Sequence, residues 1–320
     1  MTSTARVATT AVLATVLTGV LLAVSGCTLR PTDTDGDLVD DWRPLAAPVF
    51  DLPAVGTCLD GTAATTTFNP LSVRGGAVPC DREHTFEVVL VGTVEGSAAQ
   101  RPVAPEADTE AGREALQAAY KTCSTAVDAY VGADWHTGLL GIEVRMPARG
   151  SWEGGLRSYL CTVNGLSDLY GRISMTTGSL KDSLAGAAPK AIRCLDVNGD
   201  KGSDGWWSNL NAMTAIDCAQ PHEAEFVGTV QVGVGVGGAL PDEEQLRKWT
   251  SERCWPVVAK FMGLTDAQLD SRSDIGIGWD GFDKAQWDTG DRTQRCVALF
   301  YPGKKVRASI KGLGKKALPV

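Results

Sequence analysis

The sequence predicts an α+β protein with two tandem domains, each a small, mostly antiparallel sheet packed with one principal helix and stapled by disulfides. Three observations predict this: an internal repeat at a shift of about 135 residues, apolar alternation typical of strands beside one long helical pattern per copy, and an even set of cysteines in an exported chain. The expected domains are 51–186 and 187–320, preceded by a signal peptide at 1–26 and a lipidated polar tether at 27–50.

The first residues are typical of a bacterial secretory signal. A single charge, Arg6, precedes an uncharged apolar run that ends in Val24-Ser25-Gly26-Cys27. This ending resembles the lipobox of lipoproteins, which implies that Cys27 receives diacylglycerol with palmitate-type chains and becomes the mature N-terminus. Two acyl chains suffice for stable membrane attachment. An uncleaved transmembrane anchor is the alternative, since about 18 apolar residues can span a bilayer.

The charge balance excludes one class of partner. A net charge of −8 disfavours binding to nucleic acid, because phosphate backbones attract basic surfaces. The expected partners are the membrane, through the lipid on Cys27, and an unknown envelope protein or cell-wall component. The expected location is the extracytoplasmic face of the cell membrane.

Four blocks of sequence recur in the same order, which indicates duplication of one module. GTCLD returns as IRCLD, and VPCDREHTFE returns as IDCAQPHEAE with cysteine, histidine and glutamate at the same spacing. Cys123 is followed seven residues later by Tyr130-Val131-Gly132, and Cys254 by Phe261-Met262-Gly263 at the same distance. A W-x2-G-x-R-x3-C pattern occurs at Trp152 and again at Trp287. The tails match as well, with Ser179-Leu180-Lys181 and Ser309-Ile310-Lys311. The S-[LI]-K stretch is predicted to begin the last strand of each copy, with only the final residues of the chain loose.

The eight cysteines beyond Cys27 divide equally between the copies. Four cysteines allow three pairings, so the sequence does not determine which are joined. Pairing of nearest neighbours is the preferred arrangement: Cys58 with Cys80, Cys123 with Cys161, Cys194 with Cys218, and Cys254 with Cys296. On the chain-entropy model each loop would contribute about 3 to 4 kcal/mol.

Each copy is predicted to run from strands into one helix and back to a strand. The alternating stretches FEVVLVGTV and AEFVGTVQV are typical of strands, and RSYLCTV and QRCVALFYP close the sheets. Helices are expected over 110–132 and 242–263, with Asp242 and Gln245 as a capping pair. Pro256 is expected to kink or restart the second helix. Cys123 is predicted to share the buried face of the first helix with Ala119 and Ala126-Val127.

Two repeated histidines are candidate ligand contacts. His84 follows Cys80 by four residues and His222 follows Cys218 in the same way, a spacing that suits a zinc ligand pair or a nucleophile with its base. In an oxidising compartment both thiols are consumed in disulfides, so no metal or other cofactor is expected. A structural role in the protein interior and contact with a ligand both stay open for these histidines. His136 has no counterpart in the other copy.

Trp206 and Trp207 are candidate ligand contacts of a different kind. They lie in a polar stretch, SDGWWSN, that the first copy lacks. Adjacent aromatic side chains in such a place form a platform for a sugar or a partner. Burial against the neighbouring domain is the alternative.

The ordered motifs resemble the septum formation domain family of actinobacterial lipoproteins and membrane proteins. The resemblance rests on G-x-C-L-D, the Cys-x3-His-x2-Glu spacing, the helix cysteine, W-x2-G-x-R-x3-C and the closing S-L-K, and it covers most of residues 51–320. It implies a link to cell division or envelope biology and carries no catalytic residues with it.

The expected function is therefore binding or scaffolding in the cell envelope without enzymatic activity. The chain lacks G-x-S-x-G, H-E-x-x-H, S-x-x-K and Walker patterns. Two alternatives remain at this stage. One is an envelope hydrolase that uses His84 or His222 with nearby carboxylates, and the other is an accessory subunit of an envelope transporter or secretion complex.

Overall fold

The computed structural model describes residue 46 and residues 48–61, 67–106, 108–235 and 239–320. The predicted signal peptide, Cys27 and nearly all of the tether lie outside the described residues. Residues 48–320 form one compact unit, which contains both copies. Within the described ranges, no helix combines the length and apolar character that a bilayer span requires.

In its described residues, the first copy forms one antiparallel sheet with four α-helices around it. Its elements are β1 (Cys58–Leu59), α1 (Pro70–Gly75), β2 (Ala77–Val78), β3 (Phe86–Thr93), α2 (Gly96–Ala99), α3 (Glu110–Val131), β4 (Leu140–Arg145), α4 (Arg149–Glu153), β5 (Ser158–Leu166) and β6 (Ile173–Ser174). The strand order is β2-β1-β3-β5-β4, and β6 pairs with β5. A short 3-10 helix, Trp135–Thr137, connects α3 to β4.

The second copy repeats this arrangement with a longer opening hairpin. Its elements are β7 (Cys194–Lys201), β8 (Trp207–Ile216), β9 (Ala224–Gln231), α5 (Glu243–Met262), α6 (Asp266–Asp270), β10 (Ile275–Trp279), α7 (Lys284–Thr289) and β11 (Thr293–Phe300). The strand order is β10-β11-β9-β7-β8, again antiparallel. The predicted fold class, two disulfide-stapled α+β modules with mostly antiparallel sheets, is confirmed.

The two principal helices begin and end where the sequence predicts. The Thr109 hydroxyl caps α3 and the Asp242 carboxylate caps α5, where it accepts from the Gln245 amide at 2.8 Å. Each helix ends at a glycine in the left-handed region, Gly132 with φ +91° and Gly263 with φ +74°. Contrary to the expectation of a restart, α5 continues through Pro256.

Each principal helix is joined to its sheet by a buried disulfide bond. Ala119, Cys123 and Val127 form the buried stripe of α3, as predicted, and Cys123 is joined to Cys161 of β5. Cys254 of α5 is joined to Cys296 of β11 in the same way, and all four of these cysteines are fully buried. We refer to these two bonds as the core disulfides.

The other two bonds join the opening strand of each sheet to the loop before the repeated histidine. They link Cys58 with Cys80 and Cys194 with Cys218, and we call them the loop disulfides. One sulfur of each is buried with its strand, whereas Cys80 and Cys218 are half-exposed. All four bonds are those of the nearest-neighbour arrangement.

The repeated tryptophan and arginine form a structural corner. In the first copy the Arg157 guanidinium stacks 3.9 Å from the Trp152 ring centroid and donates to the Trp152 carbonyl at 2.8 Å. Arg292 repeats this on Trp287, with 3.5 Å to the ring and 2.8 Å to the carbonyl. The glycine between them has positive φ in both copies, which turns the chain back toward the closing strand.

The two copies are packed against each other within the compact unit 48–320. Leu139 and Leu169 of the first copy pack with Ile192 into the apolar face of the second sheet that does not carry α5. The connection adds backbone pairing: the Leu139 amide donates to Lys190 and the Ile192 amide to Thr137. The packing of the copies places the middle of α3 beside α7, where the Gln117 side chain donates to the Asp288 carbonyl, and the 3-10 helix beside β11, and so positions the site described next.

Candidate functional site

Each copy encloses one buried glutamate beside its loop disulfide. In the first copy Cys58 and Glu87 are paired across β1 and β3. The Glu87 carboxylate accepts hydrogen bonds from the Tyr130 hydroxyl, from Ser179 Oγ at 2.6 Å and from the Leu180 amide at 2.6 Å. Glu87 is fully buried, so these three donors compensate the desolvation of its charge.

His84 lies next to this carboxylate and is also fully buried. Its Nδ1 is 2.9 Å from the Arg82 carbonyl oxygen, and a carbonyl only accepts, so Nδ1 carries the proton. The other ring nitrogen, Nε2, is buried without a hydrogen-bond partner among the described residues. The histidine backbone pairs with Thr176, just before the S-L-K stretch.

The second copy uses the same residues with one difference. The Glu225 carboxylate accepts from Ser309 Oγ at 2.8 Å and from the Ile310 amide at 2.7 Å. His222 again places Nδ1 at 2.9 Å from a carbonyl, that of Gln220, but its Nε2 lies 3.3 Å from Glu225 Oε1. Carbonyl and carboxylate both accept, so this ring is satisfied on both sides only as an imidazolium. Burial lowers the pKa of His222, but Glu225 and the Gln220 carbonyl outweigh burial and raise it above 6.5.

The difference between the copies follows from one side chain. Tyr130 stands seven residues after the helix cysteine of the first copy, and Phe261 takes that position in the second. The Tyr130 hydroxyl and the Ser179 hydroxyl donate to the same oxygen of Glu87, whereas Phe261 has no donor, so the Glu225 carboxylate has one donor fewer from the helix and contacts His222 instead. Hydrogen bonding to Glu87 and burial also raise the pKa of Tyr130 to about 12, with burial the larger cause.

We expect Tyr130→Phe to convert the first site to the arrangement of the second. Without the phenol, the Glu87 carboxylate has one donor fewer and can accept from a protonated His84 Nε2, as Glu225 does from His222. The measurement is imidazole 15N NMR, in which His84 Nε2 should move to the shift of a protonated nitrogen. His222 is the internal control and should not change. A His84 Nε2 resonance identical in wild type and variant would contradict this account.

The closing S-[LI]-K stretch of each copy is a turn rather than the predicted strand. Ser179 and Ser309 donate to the buried glutamate of their own copy, and the following amides do the same. Two successive donors to one carboxylate require a turn, which a strand cannot provide. The end of the chain is not loose either, because Leu318 is buried in the core of the second copy.

The predicted ligand contacts divide into buried and half-buried groups. His84 and His222 are fully buried, so an external ligand would reach them only after a conformational change. Trp206 and Trp207 are half-buried on their own domain. Trp206 packs edge-on against Tyr301 with ring centroids 5.2 Å apart, and the Trp207 indole donates to the Phe300 carbonyl at 3.3 Å.

A set of polar contacts links the two copies, and we call this set the joint. The sequence does not reveal it. Arg295 of β11 is buried and forms an ion pair with Asp280 at 3.0 Å. Its other nitrogens cross to the first copy and donate to the carbonyls of His136 at 2.7 Å, Gly138 at 3.3 Å and Leu140 at 3.0 Å. One guanidinium therefore connects the last strand of one copy to the backbone that enters β4 of the other.

A second contact of the joint is centred on His136. Its Nδ1 lies 2.7 Å from Asp134 Oδ1 in its own copy, and its Nε2 lies 3.3 Å from Asp291 Oδ2 in the other. The Tyr120 hydroxyl also donates to Asp291 Oδ2, at 3.0 Å. Both ring nitrogens face carboxylates, which favours the imidazolium.

The shifts in pKa agree with this geometry. Burial is the largest influence on His136 and favours the neutral ring, but hydrogen bonds and charge from Asp134 and Asp291 together raise its pKa above 6.5. Burial likewise opposes ionisation of Asp291, yet His136 and the Thr293 amide lower the pKa of this carboxyl to about 2. Burial, and next the Asp291 charge, raise the pKa of Tyr120 well above 10.0.

We expect the joint to weaken as the solution becomes alkaline. The folded pKa of His136 is raised, so its contribution to stability is complete below pH 6.5 and is lost as pH rises through the folded pKa. Asp291 contributes above pH 3.8 and loses its contribution as pH falls toward about 2. The measurement is the difference in free energy of unfolding between wild type and His136→Gln, which should be larger at pH 6 than at pH 9. A pH-independent difference would contradict the assignment.

A cleft of about 690 Å³ lies over the joint. Residues of the joint line its floor, and its walls come from both copies. Arg145 and Glu143 on the edge strand β4 form one wall, with Arg145 Nη2 2.9 Å from Glu143 Oε2. Tyr170 and Phe282 add aromatic surface from the first and second copy respectively. Such a mixture of aromatic and paired polar groups at a domain boundary is typical of a binding site.

The polar residues of the joint were missed because the repeat hides them. Arg295 corresponds to Leu160 in the first copy, and Asp291 corresponds to Leu156. A comparison of equivalent positions in the two copies therefore identifies the residues that build each domain. It misses the residues at which the two copies differ. The available signal was the opposite one: a charge in the second copy at a position that is apolar in the first.

Two groups of side chains have the residue types of a metal site. Cys58 Sγ, a ring nitrogen of His84 and a carboxylate oxygen of Glu87 lie within 4.8 Å of one another, and Cys194, His222 and Glu225 repeat this. In the disulfide form neither sulfur is a thiolate, which is the form that binds metal.

Relatives by sequence are bacterial membrane proteins. Two proteins of Mycobacterium tuberculosis, from strains CDC 1551 and H37Rv, are each named as an uncharacterized membrane protein and are each 22% identical over 277 residues. The match covers 84% of this chain and 56% of each relative, so the chain spans little more than half of their length. No solved structure matches the chain.

The family model described as septum formation matches residues 55–296. The match begins before the first loop disulfide and ends at Cys296 of the second core disulfide, and so includes the repeated histidines, glutamates and tryptophan corners of both copies. The chain belongs to the septum formation family.

Proposed function

We propose that this chain is a non-enzymatic lipoprotein on the extracytoplasmic face of the cell membrane, where its two domains bind a partner as one body during septum formation. The family description and the membrane location of the relatives support the setting. The lipobox ending at Cys27 supports a lipid as the anchor. The partner is an envelope protein or a component of the cell wall.

One observation carries the proposal: the residues that the copies share are used inside each domain, and the residues that they do not share meet at the cleft. The repeated glutamates, arginines and tryptophans are all occupied by contacts within their own copy. Arg295, His136 and Asp291 have no counterparts and hold the copies in one orientation. The cleft forms only when both copies are joined, so binding at the cleft is a function that a single copy could not perform.

The interior placement of both histidines supports a binding function over hydrolysis. A general base must reach the proton that it removes, within hydrogen-bond distance or through one water. His84 and His222 are fully buried, and each Nδ1 is occupied by a backbone carbonyl. Their contacts account for them as parts of the fold.

The test is an arginine substitution on the wall of the cleft. Ile173 lines the cleft and is 47% exposed, so Ile173→Arg should leave the melting temperature nearly unchanged while it obstructs the cleft. Leu71, which is 77% exposed and lies on α1 away from the cleft, supplies the matched control Leu71→Arg. In cells that lack the native copy, we expect Ile173→Arg to fail to restore normal septa and Leu71→Arg to restore them. Full complementation by a stably folded Ile173→Arg chain would refute the proposal.

The anchor is tested in the same assay. Cys27→Ala removes the sulfur that would carry the lipid, so the chain should no longer incorporate labelled palmitate and should fail to complement. Labelling that persists in Cys27→Ala would remove the lipid anchor from the proposal and leave the cleft test unaffected.

A further inference from the structure

The geometry points to a zinc site in each copy that forms when the loop disulfide is reduced, with ligands Cys58, Cys80, His84 and Glu87 in the first copy and Cys194, Cys218, His222 and Glu225 in the second. This inference is independent of the cleft and of the partner proposed above. It concerns a state of the protein in which the loop sulfurs are thiolates while the core disulfides remain intact.

The ligand atoms are already close together in the disulfide form. Cys58 lies directly opposite Glu87 on neighbouring strands, and Cys194 lies opposite Glu225 in the same register. In each copy the strand sulfur, a ring nitrogen and a carboxylate oxygen lie within 4.8 Å of one another. Zinc bonds of about 2.0 to 2.3 Å in a tetrahedron place ligands roughly 3.5 Å apart. Small side-chain movements would therefore complete the set.

The histidines have the orientation that a zinc ligand needs. A metal-bound imidazole commonly donates its other N–H to a backbone carbonyl, which fixes the tautomer. His84 donates Nδ1–H to Arg82 and His222 donates Nδ1–H to Gln220, both at 2.9 Å. Nε2 is thereby left as the metal-binding nitrogen in the first copy, whereas in the second copy zinc must also displace the Nε2 proton that faces Glu225. In the first copy this atom is buried with no hydrogen-bond partner among the described residues, a cost that a metal bond would remove.

Access to reductant separates the two kinds of disulfide. Cys80 and Cys218 are partly exposed residues, so a reductant in solvent has a shorter approach to the loop disulfides than to the core disulfides. All four cysteines of the core disulfides are fully buried. Mild reduction should therefore open the loop disulfides first and leave each helix attached to its sheet.

The chemistry balances with a dithiol as the reductant. One thiolate of the dithiol attacks Cys80 Sγ and releases Cys58 as a thiolate, and the second thiol then attacks the mixed disulfide and releases Cys80. The dithiol is oxidised to its disulfide, and the protein disulfide is reduced to two thiols. Zinc then displaces two thiol protons, and neutral His84 and ionised Glu87 complete a site with thiolate, imidazole and carboxylate ligands.

The experiment uses the full chain, treated with a phosphine reductant under native conditions and titrated with Zn²⁺ or with Co²⁺ as a spectroscopic probe. Among the eight disulfide-bonded cysteines, alkylation and mass spectrometry should find reduced thiols at Cys58, Cys80, Cys194 and Cys218 only. The reduced chain should bind about two metal ions, and the oxidised chain none. Co²⁺ should show thiolate-to-metal charge transfer and tetrahedral ligand-field bands.

Histidine variants separate a built site from incidental thiol binding. His84→Ala should lower the stoichiometry from about two ions to about one, and His84→Cys should restore it by supplying another zinc ligand. His136→Ala is the control, since this third histidine lies at the joint, and it should leave the stoichiometry unchanged. Absence of metal binding by the reduced wild type would overturn the inference. Metal binding that does not depend on the repeated histidines would also overturn the inference, as would metal binding by the oxidised chain.

Discussion

Arg295→Ala is expected to lower the free energy of unfolding by about 3 to 5 kcal/mol, because it leaves the buried Asp280 carboxylate without its cation. Asp280 lies 3.0 Å from the guanidinium and is almost completely buried. Burial already raises the pKa of Asp280 although Arg295 acts to lower it. The substitution also removes the donors for the carbonyls of His136, Gly138 and Leu140, and so loosens the contact between the copies.

Urea unfolding followed by tryptophan fluorescence, with disulfides intact, measures this loss. The control is Arg149→Ala, whose ion pair with Glu153 at 2.9 Å is solvent-exposed on both sides and should contribute little to stability. Arg295→Lys should be intermediate, because an ammonium keeps the charge but cannot reach all the carbonyls at once. If Arg295→Ala costs no more than Arg149→Ala, the joint does not depend on this residue.

The repeat predicted the fold well because duplicated positions report what each domain needs in order to fold. Glycine after each principal helix, a capping side chain before it and cysteine on its buried face are local or pairwise requirements, and both copies carry them. The bounds of α3 and α5 follow from these signals almost to the residue. The preferred nearest-neighbour disulfides are confirmed, and each kind recurs in both copies: one bond joins the principal helix to a strand, and the other joins the opening strand to the loop before the repeated histidine.

The candidate site could not be predicted in this way, because its contacts depend on how two finished domains are packed. His136 and Asp291 are 155 residues apart, and nothing in the local pattern of either indicates the other. The 3-10 turn that presents His136 exists in one copy only among the described residues. Its stacking on Trp135, at 3.7 Å between centroids, is also peculiar to the first copy.

The closing S-[LI]-K stretch is a repeated motif for which the prediction was wrong, because it was expected to be a strand and forms a turn. The alternation of serine, an apolar residue and lysine is compatible with a strand. The structure instead uses the serine hydroxyl and the next amide to satisfy a buried carboxylate, which a single sequence does not reveal because the glutamate lies 84 residues earlier in the second copy.

This carboxylate is the basis of the other large effect that we expect. Glu225→Ala should lower the free energy of unfolding of the second copy by about 3 kcal/mol or more, since each buried donor left without an acceptor costs about 1 to 3 kcal/mol. Three donors lose their acceptor: Ser309 Oγ, the Ile310 amide and His222 Nε2. The raised pKa of His222 should fall toward or below 6.5 at the same time, because the remaining influences are burial, which lowers it, and the Gln220 carbonyl.

Hydrogen exchange localises the effect and distinguishes it from general destabilisation. In Glu225→Ala the Ile310 amide should lose protection before the strands of the second sheet do, because only the closing turn depends directly on the carboxylate. Leu180 in the first copy is the internal control and should keep its protection through Glu87. The reciprocal variant, Glu87→Ala, should expose Leu180 and spare Ile310. Loss of protection at both turns in either single variant would mean that the copies unfold together, and that the joint at Arg295 rather than the buried glutamate sets the local stability of the closing turns.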